Sequence, residues 1–296
     1  MSKINGRAKK YDGTSIDYVQ VFNWVTGNCI GVSRPDAAGN WSYNLYGEIH
    51  TGFTYVADGC EPIAHGPYYF NFPFDSDWSK VSLLLHLDNN IVDSSGICTF
   101  DNLGVITFKA GYFDSAVELL PASSSSINGL LENTVSNSAL SLGADDYTIE
   151  FFINPYSTYK QNDQALISLF EVGGTAGWQI LLSGLKPAMY KYDNGGNTFL
   201  KSSTTLTSNK WYHIAYCRLN GITSLYIDGI ADASAPDNSN YSSSNIKLSI
   251  GYQEGGGARY PFTGMIDDIR ITKGLARYNG NFSPPITPFD HGTDGY

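Results

Sequence analysis

The chain has 296 residues, of which 42% are hydrophobic, 14% aromatic and only 16% charged, and its net charge is −10. That is length for about two domains, each able to bury a core without disulfide or metal staples. The acidic balance disfavours a general binder of nucleic acid or of anionic membranes, and no apolar run approaches the roughly 18 residues of a membrane-spanning helix. The stretch Met1–Lys10 is basic but has no apolar segment, so it does not read as a signal peptide, and synthesis and folding in a cytosol are expected. The wealth of Tyr and Gly favours β structure, because aromatic side chains suit a pleated, half-buried surface.

Residues 1–75 read as a small β domain. Asp17–Phe22 is a strand, Thr26-Gly27-Asn28 a turn, and Cys29–Val32 extended chain. Pro35 to Asn40 holds a second turn. Trp41, Tyr43 and Leu45 then alternate with polar residues, and Phe53–Ala57 is a further strand ended by Asp58-Gly59. No segment shows a helical period, so an antiparallel sandwich is expected. Phe72-Pro73-Phe74 marks the boundary, since proline interrupts helix and ladder alike.

Residues 76–296 form the larger domain. Val81–Leu87 is apolar enough for a strand buried on both faces, and the Ser- and Asn-rich stretch Ser123–Ser141 reads as a loop. In Asp146–Asn154, Tyr147, Ile149, Phe151 and Ile153 face one way and Thr148, Glu150 and Phe152 the other. Trp178–Leu182 is another strand. Trp211–Leu219 is apolar on both faces, which places it inside a sheet. Asn220-Gly221 and Asp228-Gly229 are tight turns, because both residue types tolerate positive φ. The tail Ser283–Tyr296 should run irregularly, pinned where Phe282 and Phe289 pack.

Little in the chain reads as catalysis. The glutamates are isolated, and Asp145-Asp146 and Asp267-Asp268 are adjacent pairs, which on a regular strand face opposite ways. There is no Gly-x-Ser-x-Gly elbow, and Gly255-Gly256-Gly257 lacks the Lys-Ser/Thr of a phosphate loop. His86 and His213 read as structural histidines. Cys29, Cys60, Cys98 and Cys217 form no C-x-x-C pair, so no zinc site is expected; a Cys29–Cys60 bridge and four buried thiols both stay open. Sugar binding needs aromatic faces beside short polar side chains. Tyr156, Tyr159, Tyr190, Tyr192 and Asn194 are the candidates, with Tyr241, Tyr252 and Tyr260 as further tyrosines at loops or strand ends. By alternation Asp267 shares a strand face with Met265, Ile269 and Ile271, which aims it at the core side, and a buried carboxylate requires a partner. Asp268 then faces outward, with Arg270 as a surface ion-pair partner.

Several stretches carry a resemblance. Lys210-Trp211-Tyr212-His213-Ile214-Ala215, Leu225-Tyr226-Ile227-Asp228-Gly229 and Phe262 to Ile271 resemble the paired strands and closing strand of laminin-G-like, concanavalin A-like jelly rolls, and Tyr147 to Ile153 resembles their early central strand. Ser82 to Asp88 and Thr272 to Tyr278, with Phe282-Ser283-Pro284-Pro285, resemble the version found in bacteriophage tail and fibre proteins. The turns and strands of residues 1–75 resemble a transthyretin-like or carboxypeptidase-regulatory-like sandwich. The fold class expected is thus all-β, a small antiparallel sandwich followed by a jelly roll.

The resemblance implies a non-enzymatic virion surface protein of tail-fibre or receptor-binding type, made in the host cytoplasm. Its partners would be other virion proteins, host surface glycans and further copies of itself, with no nucleic acid and no membrane insertion. A decoration or assembly protein that binds only virion proteins, and a polysaccharide-degrading enzyme, are the alternatives. The resemblance also implies a structural Ca²⁺ near the sheet edge, for which Asp88 and Asp267 are the ligands in reach. Capping of backbone N–H groups in a neighbouring loop is the other reading of Asp267.

Overall fold

The computed structural model describes the strands between residues 2 and 69 and most of residues 75–289. Residues 105, 124–128, 133–137, 158–161, 172–176, 193–196, 243–245, 254–259 and 290–296 lie outside the described set. Packing divides the chain into two compact units, the larger being Asp77–Phe289.

In the smaller unit, β1 (Ser2–Arg7) pairs antiparallel with β4 (Asn40–Leu45). A second, four-stranded sheet has the order β3 (Cys29–Ser33), β2 (Tyr18–Asn23), β5 (His50–Val56), β6 (Ile63–Tyr69). β1 and β6 lie in stretches where alternation gave no signal. Cys60 and the side chain of Cys29 lie outside the described residues, so the bridge between them is not addressed.

The larger unit packs two antiparallel sheets face to face. The first runs β19 (Ile230–Pro236), β18 (Ile222–Ile227), β17 (Tyr212–Leu219), β12 (Tyr147–Pro155), β21 (Gly264–Lys273), β10 (Ser115–Leu119), β9 (Ile106–Ala110), and β7 (Val81–Leu85) also pairs with β21. The second runs β16 (Asn197–Lys201), β15 (Lys186–Tyr192), β14 (Gly177–Ser183), β13 (Asp163–Glu171), β20 (Ile246–Ile250), β11 (Gly129–Glu132), β8 (Phe100–Leu103). Tyr147, Ile149, Phe151 and Ile153 alternate into one core with Leu83, Ile214 and Ile271 of the same sheet and Trp178, Ile180 and Leu248 of the other. Each such side chain contributes about 1.5–3 kcal/mol on burial. The turns at Asn220-Gly221 (φ 50 and 75) and Asp228-Gly229 (φ 48 and 76) adopt the positive φ their sequences predict.

Two expectations need correction. The stretch Ser123–Ser141 is not only loop, because it contains β11 and a short 3-10 turn at Ser138–Leu140. Gly129 permits this: a Cβ there would stand 2.0 Å from the carbonyl oxygen of Ile250 on the paired strand. The second correction is at Asp267-Asp268. Asp268 has φ 44, and the β12–β21 register shifts there. The extra residue puts Asp267 opposite Phe152, on the outer face with Met265, whereas Ile269 and Ile271 point into the core. Asp268 does not face solvent; it is 1% exposed.

The outer face of the first sheet is roofed by the irregular segment 275–289. Phe282 stacks on Tyr278 with centroids 3.5 Å apart, and both pack on Ala215, Cys217 and Tyr226. Phe289 lies against Phe152, and its N–H donates to Asp268 Oδ2 at 2.7 Å. The Phe282 N–H donates to the carbonyl of Gly229 at 2.9 Å. This tail is therefore pinned where Phe282 and Phe289 pack, as the sequence predicts.

Candidate functional site

Among the described residues, three places at the outer face of the first sheet bring chemistry-bearing side chains together. The first is Glu150, on the outer face of β12 and fully buried under the 275–289 segment. Arg270 Nε and Nη2 donate to its Oε1 at 3.0 and 2.8 Å, and Tyr278 Oη donates to Oε2 at 2.8 Å. His213 Nε2 lies 3.3 Å from Oε2. Burial by itself would raise this carboxyl, but the Arg270 guanidinium, with His213 and the Tyr278 hydroxyl, holds it down at about 2. The set resembles acid–base machinery in composition only. Its carboxylate is ionised, engaged on both oxygens and closed to solvent, so it ties the C-terminal segment to the sheet.

The second place is the junction between β7 and β10, which share one side of β21. The ladder lapses there, and carboxylates take up the backbone donors. Asp267 Oδ2 accepts from the N–H groups of Tyr112 and Phe113 at 2.8 and 3.0 Å, and Asp88 Oδ1 accepts from the Ser115 N–H at 2.9 Å. Asp268 holds His86 Nδ1 at 2.6 Å and the Phe289 N–H. The capping reading of Asp267 thus describes its Oδ2. Its Oδ1 is buried and has no hydrogen-bond partner. Burial, together with the nearby Asp268 and Asp88 carboxylates, pushes the Asp267 carboxyl up to about 8 against the pull of the Phe113 and Tyr112 N–H groups. Asp88 is likewise raised, chiefly by burial. Among the described residues no cluster of three or more His, Cys, Asp or Glu side chains is arranged for a metal ion. What suits a cation here is narrower: one orphaned, buried carboxylate oxygen among like charges.

The third place is where the roof stops. Registers put Asn154 opposite Met265, Met265 opposite Glu118 and Glu118 opposite Thr107, one row across β12, β21, β10 and β9. Within β21, Met265 is the one residue between the two ends that is not buried. Tyr112 stacks on Phe152 (centroids 4.4 Å, 17°) and meets Trp211 edge-on at 6.1 Å. One Tyr112 face is covered by Phe152, yet the residue stays 44% exposed. On the other flank, Tyr156 Oη donates to Glu118 Oε1 at 2.7 Å and Thr107 Oγ1 to Oε2 at 3.0 Å. Burial and the adjacent Glu118 push the Tyr156 phenol up to about 12, so it stays a donor. The Oδ1 of Asn154 is buried with no partner.

Of the tyrosines singled out from sequence, those among the described residues stand apart. Tyr156 stands on the outer side of the first sheet. Tyr190 lies opposite Gln179 on β15 of the second sheet and is half-buried. Tyr192 ends β15, but its side chain, like all of Tyr159 and Asn194, lies outside the described residues. Tyr241 and Tyr252 are buried, and Tyr260 is exposed. Sequence reasoning missed Tyr112, Trp211, Asn154 and Glu118 as a group. Asn154 and Trp211 carried a signal, since each extends a predicted strand on the face opposite the core.

A family model described as the concanavalin A-like lectin/glucanases superfamily (Laminin_G_3) matches residues 131–275. Comparison with curated proteins found no match. Among solved structures, the binding domain of Paraclostridial Mosquitocidal Protein 1 is similar at TM-score 0.53 and 16% identity, over 67% of this chain and 50% of that one. The receptor binding domain of the botulinum neurotoxin C/D mosaic serotype gives 0.51 and 19%, over 67% and 49%. Domain 4 of AbnA, a GH43 extracellular arabinanase from Geobacillus stearothermophilus in complex with arabinotriose, gives 0.50 and 18%, over 67% and 94%. The chain thus spans about half of each toxin domain and nearly all of the arabinanase domain. Its larger unit is a concanavalin A-like jelly roll.

Proposed function

We propose that this chain is a non-enzymatic recognition protein of a phage virion, of tail-fibre or receptor-binding type, whose jelly roll engages surface carbohydrate of the host. The observation that carries the carbohydrate part is the exposed Tyr112 beside the half-buried Met265 and Glu118 and the amide of Asn154, at the place where the 275–289 roof stops. Aromatic faces with short polar groups beside them are what a sugar ring requires. The similarity to two domains named for binding, and to an arabinanase domain solved with arabinotriose, supports the same reading. In the virion role, residues 1–75 are a transthyretin-like docking module and the protein assembles as a homo-oligomer. The phage-type motifs at Ser82–Asp88 and Thr272–Tyr278 support this part. The full chain is expected to bind host surface polysaccharide saturably, without releasing reducing ends. Sustained release would overturn the non-enzymatic reading, and absence of binding would overturn recognition.

A calcium ion at Asp88 and Asp267 belongs to the same proposal. Asp267 Oδ1 and the second oxygen of Asp88 would be its carboxylate ligands, and the ion would neutralise the like charges gathered at the β7–β10 junction. Calorimetry is expected to give a Tm several degrees higher in millimolar Ca²⁺ than in chelator, a difference that Asp267→Asn removes. Identical Tm values in the two conditions would refute the site.

A further inference from the structure

We infer that the surface over Asn154 and Met265, walled by Tyr112, Trp211 and Tyr156 and bounded by Glu118, is a subsite for one neutral pyranose residue of a polysaccharide. This rests on the carbohydrate reading above and deepens it by naming the place and the class of sugar.

The 275–289 segment covers the sheet as far as Phe289 on Phe152, and the next row runs from the buried Asn154 through the half-buried Met265 and Glu118 to the exposed Thr107. β17 begins at Tyr212, opposite Ile153, so Trp211 continues its line beside Asn154. The Asn209 N–H bond to the Pro155 carbonyl, at 2.7 Å, holds that alignment.

Every wall has a part suited to a sugar. The free face of Tyr112 can take the C–H side of a pyranose, and its other face is already backed by Phe152, so little ring motion is lost on binding. Tyr112 is also held through its backbone, because its N–H is fixed by Asp267. Asn154 offers an amide, which can give and take a hydrogen bond at once and so matches two adjacent hydroxyls. Its oxygen has no partner in the protein, an unusual state for a side chain 92% buried. Glu118 lies at the rim, already fixed by Tyr156 and Thr107, and each of its oxygens keeps a lone pair for a sugar hydroxyl.

The same carboxylate sets the charge of the ligand. A uronic or sialic acid would bring a second carboxylate toward Glu118 on a protein of net charge −10, and like charges brought together at a binding site oppose association. A neutral hexopyranose has no such cost.

The chain has three methionines, which makes the site readable by itself. Met265 is in its floor, Met189 is fully buried in the core, and Met1 is the first residue. The full chain, labelled with ¹³C at the methionine methyls, is titrated with dextran, mannan and galactan oligosaccharides and with oligogalacturonate and oligosialic acid. Met265→Leu assigns the reporting peak. At least one neutral oligosaccharide should shift the Met265 methyl while Met189 stays still, and the acidic ones should leave it unmoved. Asn154→Ala and Tyr112→Ala should each weaken binding about ten-fold, the worth of about 1.4 kcal/mol. Their unchanged Met189 resonance shows that the fold is intact. Glu118→Gln should admit the acidic oligosaccharides. Calorimetrically detected sugar binding with an unmoved Met265, unaffected by Asn154→Ala, would overturn the site and leave the carbohydrate reading standing. Failure of every oligosaccharide to bind by either measurement would overturn both.

Discussion

Replacing Glu150 with alanine is expected to destabilise residues 77–289 by about 3–5 kcal/mol, the usual cost of removing one partner from a buried ion pair. The substitution leaves Arg270 with its guanidinium stranded against the Phe289 ring, 4.1 Å away, and deprives the Tyr278 hydroxyl of its acceptor. For a domain of this size the loss lowers Tm by on the order of 10 °C. Glu150→Gln separates charge from shape through its pH dependence. The carboxyl stands near 4.5 in an unfolded chain and at about 2 in the folded one. A folded value depressed in this way adds stability that is complete above about pH 4.5 and is lost as pH falls toward 2. The difference of about 2.5 units corresponds to about 3 kcal/mol. Urea titrations at pH 6 should therefore show wild type well ahead of Glu150→Gln, with the gap closing by pH 2. A gap that does not change with pH would show that Glu150 acts by packing, without its charge.

Arg218→Met is expected to cost about as much, by a different route. Arg218 is 1% exposed and lies beneath the loops that close one end of the sandwich. Nε donates to the Asp145 carbonyl at 2.8 Å, Nη1 to that of Ser239 at 2.9 Å and Nη2 to that of Gly143 at 2.9 Å. Its guanidinium also lies 4.7 Å over the Tyr147 ring and 5.3 Å over that of Tyr241. Behind these rings is Asp237, which takes the Thr223 hydroxyl at 2.8 Å and the Tyr147 and Tyr241 hydroxyls at 3.2 and 3.1 Å. Arg218 Nη1, 3.7 Å from Asp237 Oδ2, supplies the positive charge nearest that carboxylate. Methionine fills the volume but leaves buried carbonyls without donors and Asp237 without its cation. Arg218→Lys should recover only part of the loss, since an ammonium cannot reach three divergent carbonyls as the planar fork does. Thermal melts of the three proteins test this ordering, and equal Tm values for Lys and Met would contradict it.

The strands that sequence showed most plainly are those whose cause is local. Asn220-Gly221 and Asp228-Gly229 specify their own turns, and the alternation from Tyr147 to Ile153 specifies which side meets the core. β11 was hidden because four residues rich in Gly and Leu have no alternation to show, and its strand exists only through pairing with β8 and β20. The faces of Asp267 and Asp268 were misread because alternation assumes a regular ladder. The bulge comes from the meeting of β7 and β10 on one flank of β21, a property of three segments far apart in sequence. The candidate site was half legible for the same reason. Asn154 and Trp211 lie on strands whose outer faces could be traced, whereas Tyr112 belongs to a turn between two short edge-side strands and reaches its place only through Phe152 and Asp267.

β21 is near the C-terminal end of the described chain, yet it lies inside its sheet, flanked on one side by β12 and on the other by both β7 and β10. All three flanking strands, β12, β10 and β7, lie more than a hundred residues earlier in the sequence. The first sheet therefore cannot be completed progressively from its N-terminal end. Until Gly264–Lys273 inserts, β7 and the β9–β10 pair have no ladder, among the described residues, to the rest of the sheet, and the edge of β12 that faces β21 stays unpaired. Folding that depends on such distant pairings is slow and exposes strand edges while it proceeds. For this protein the final closing strand and the segment that roofs it are adjacent in the chain, so the step that completes the sheet is followed directly by the one that shields its outer face.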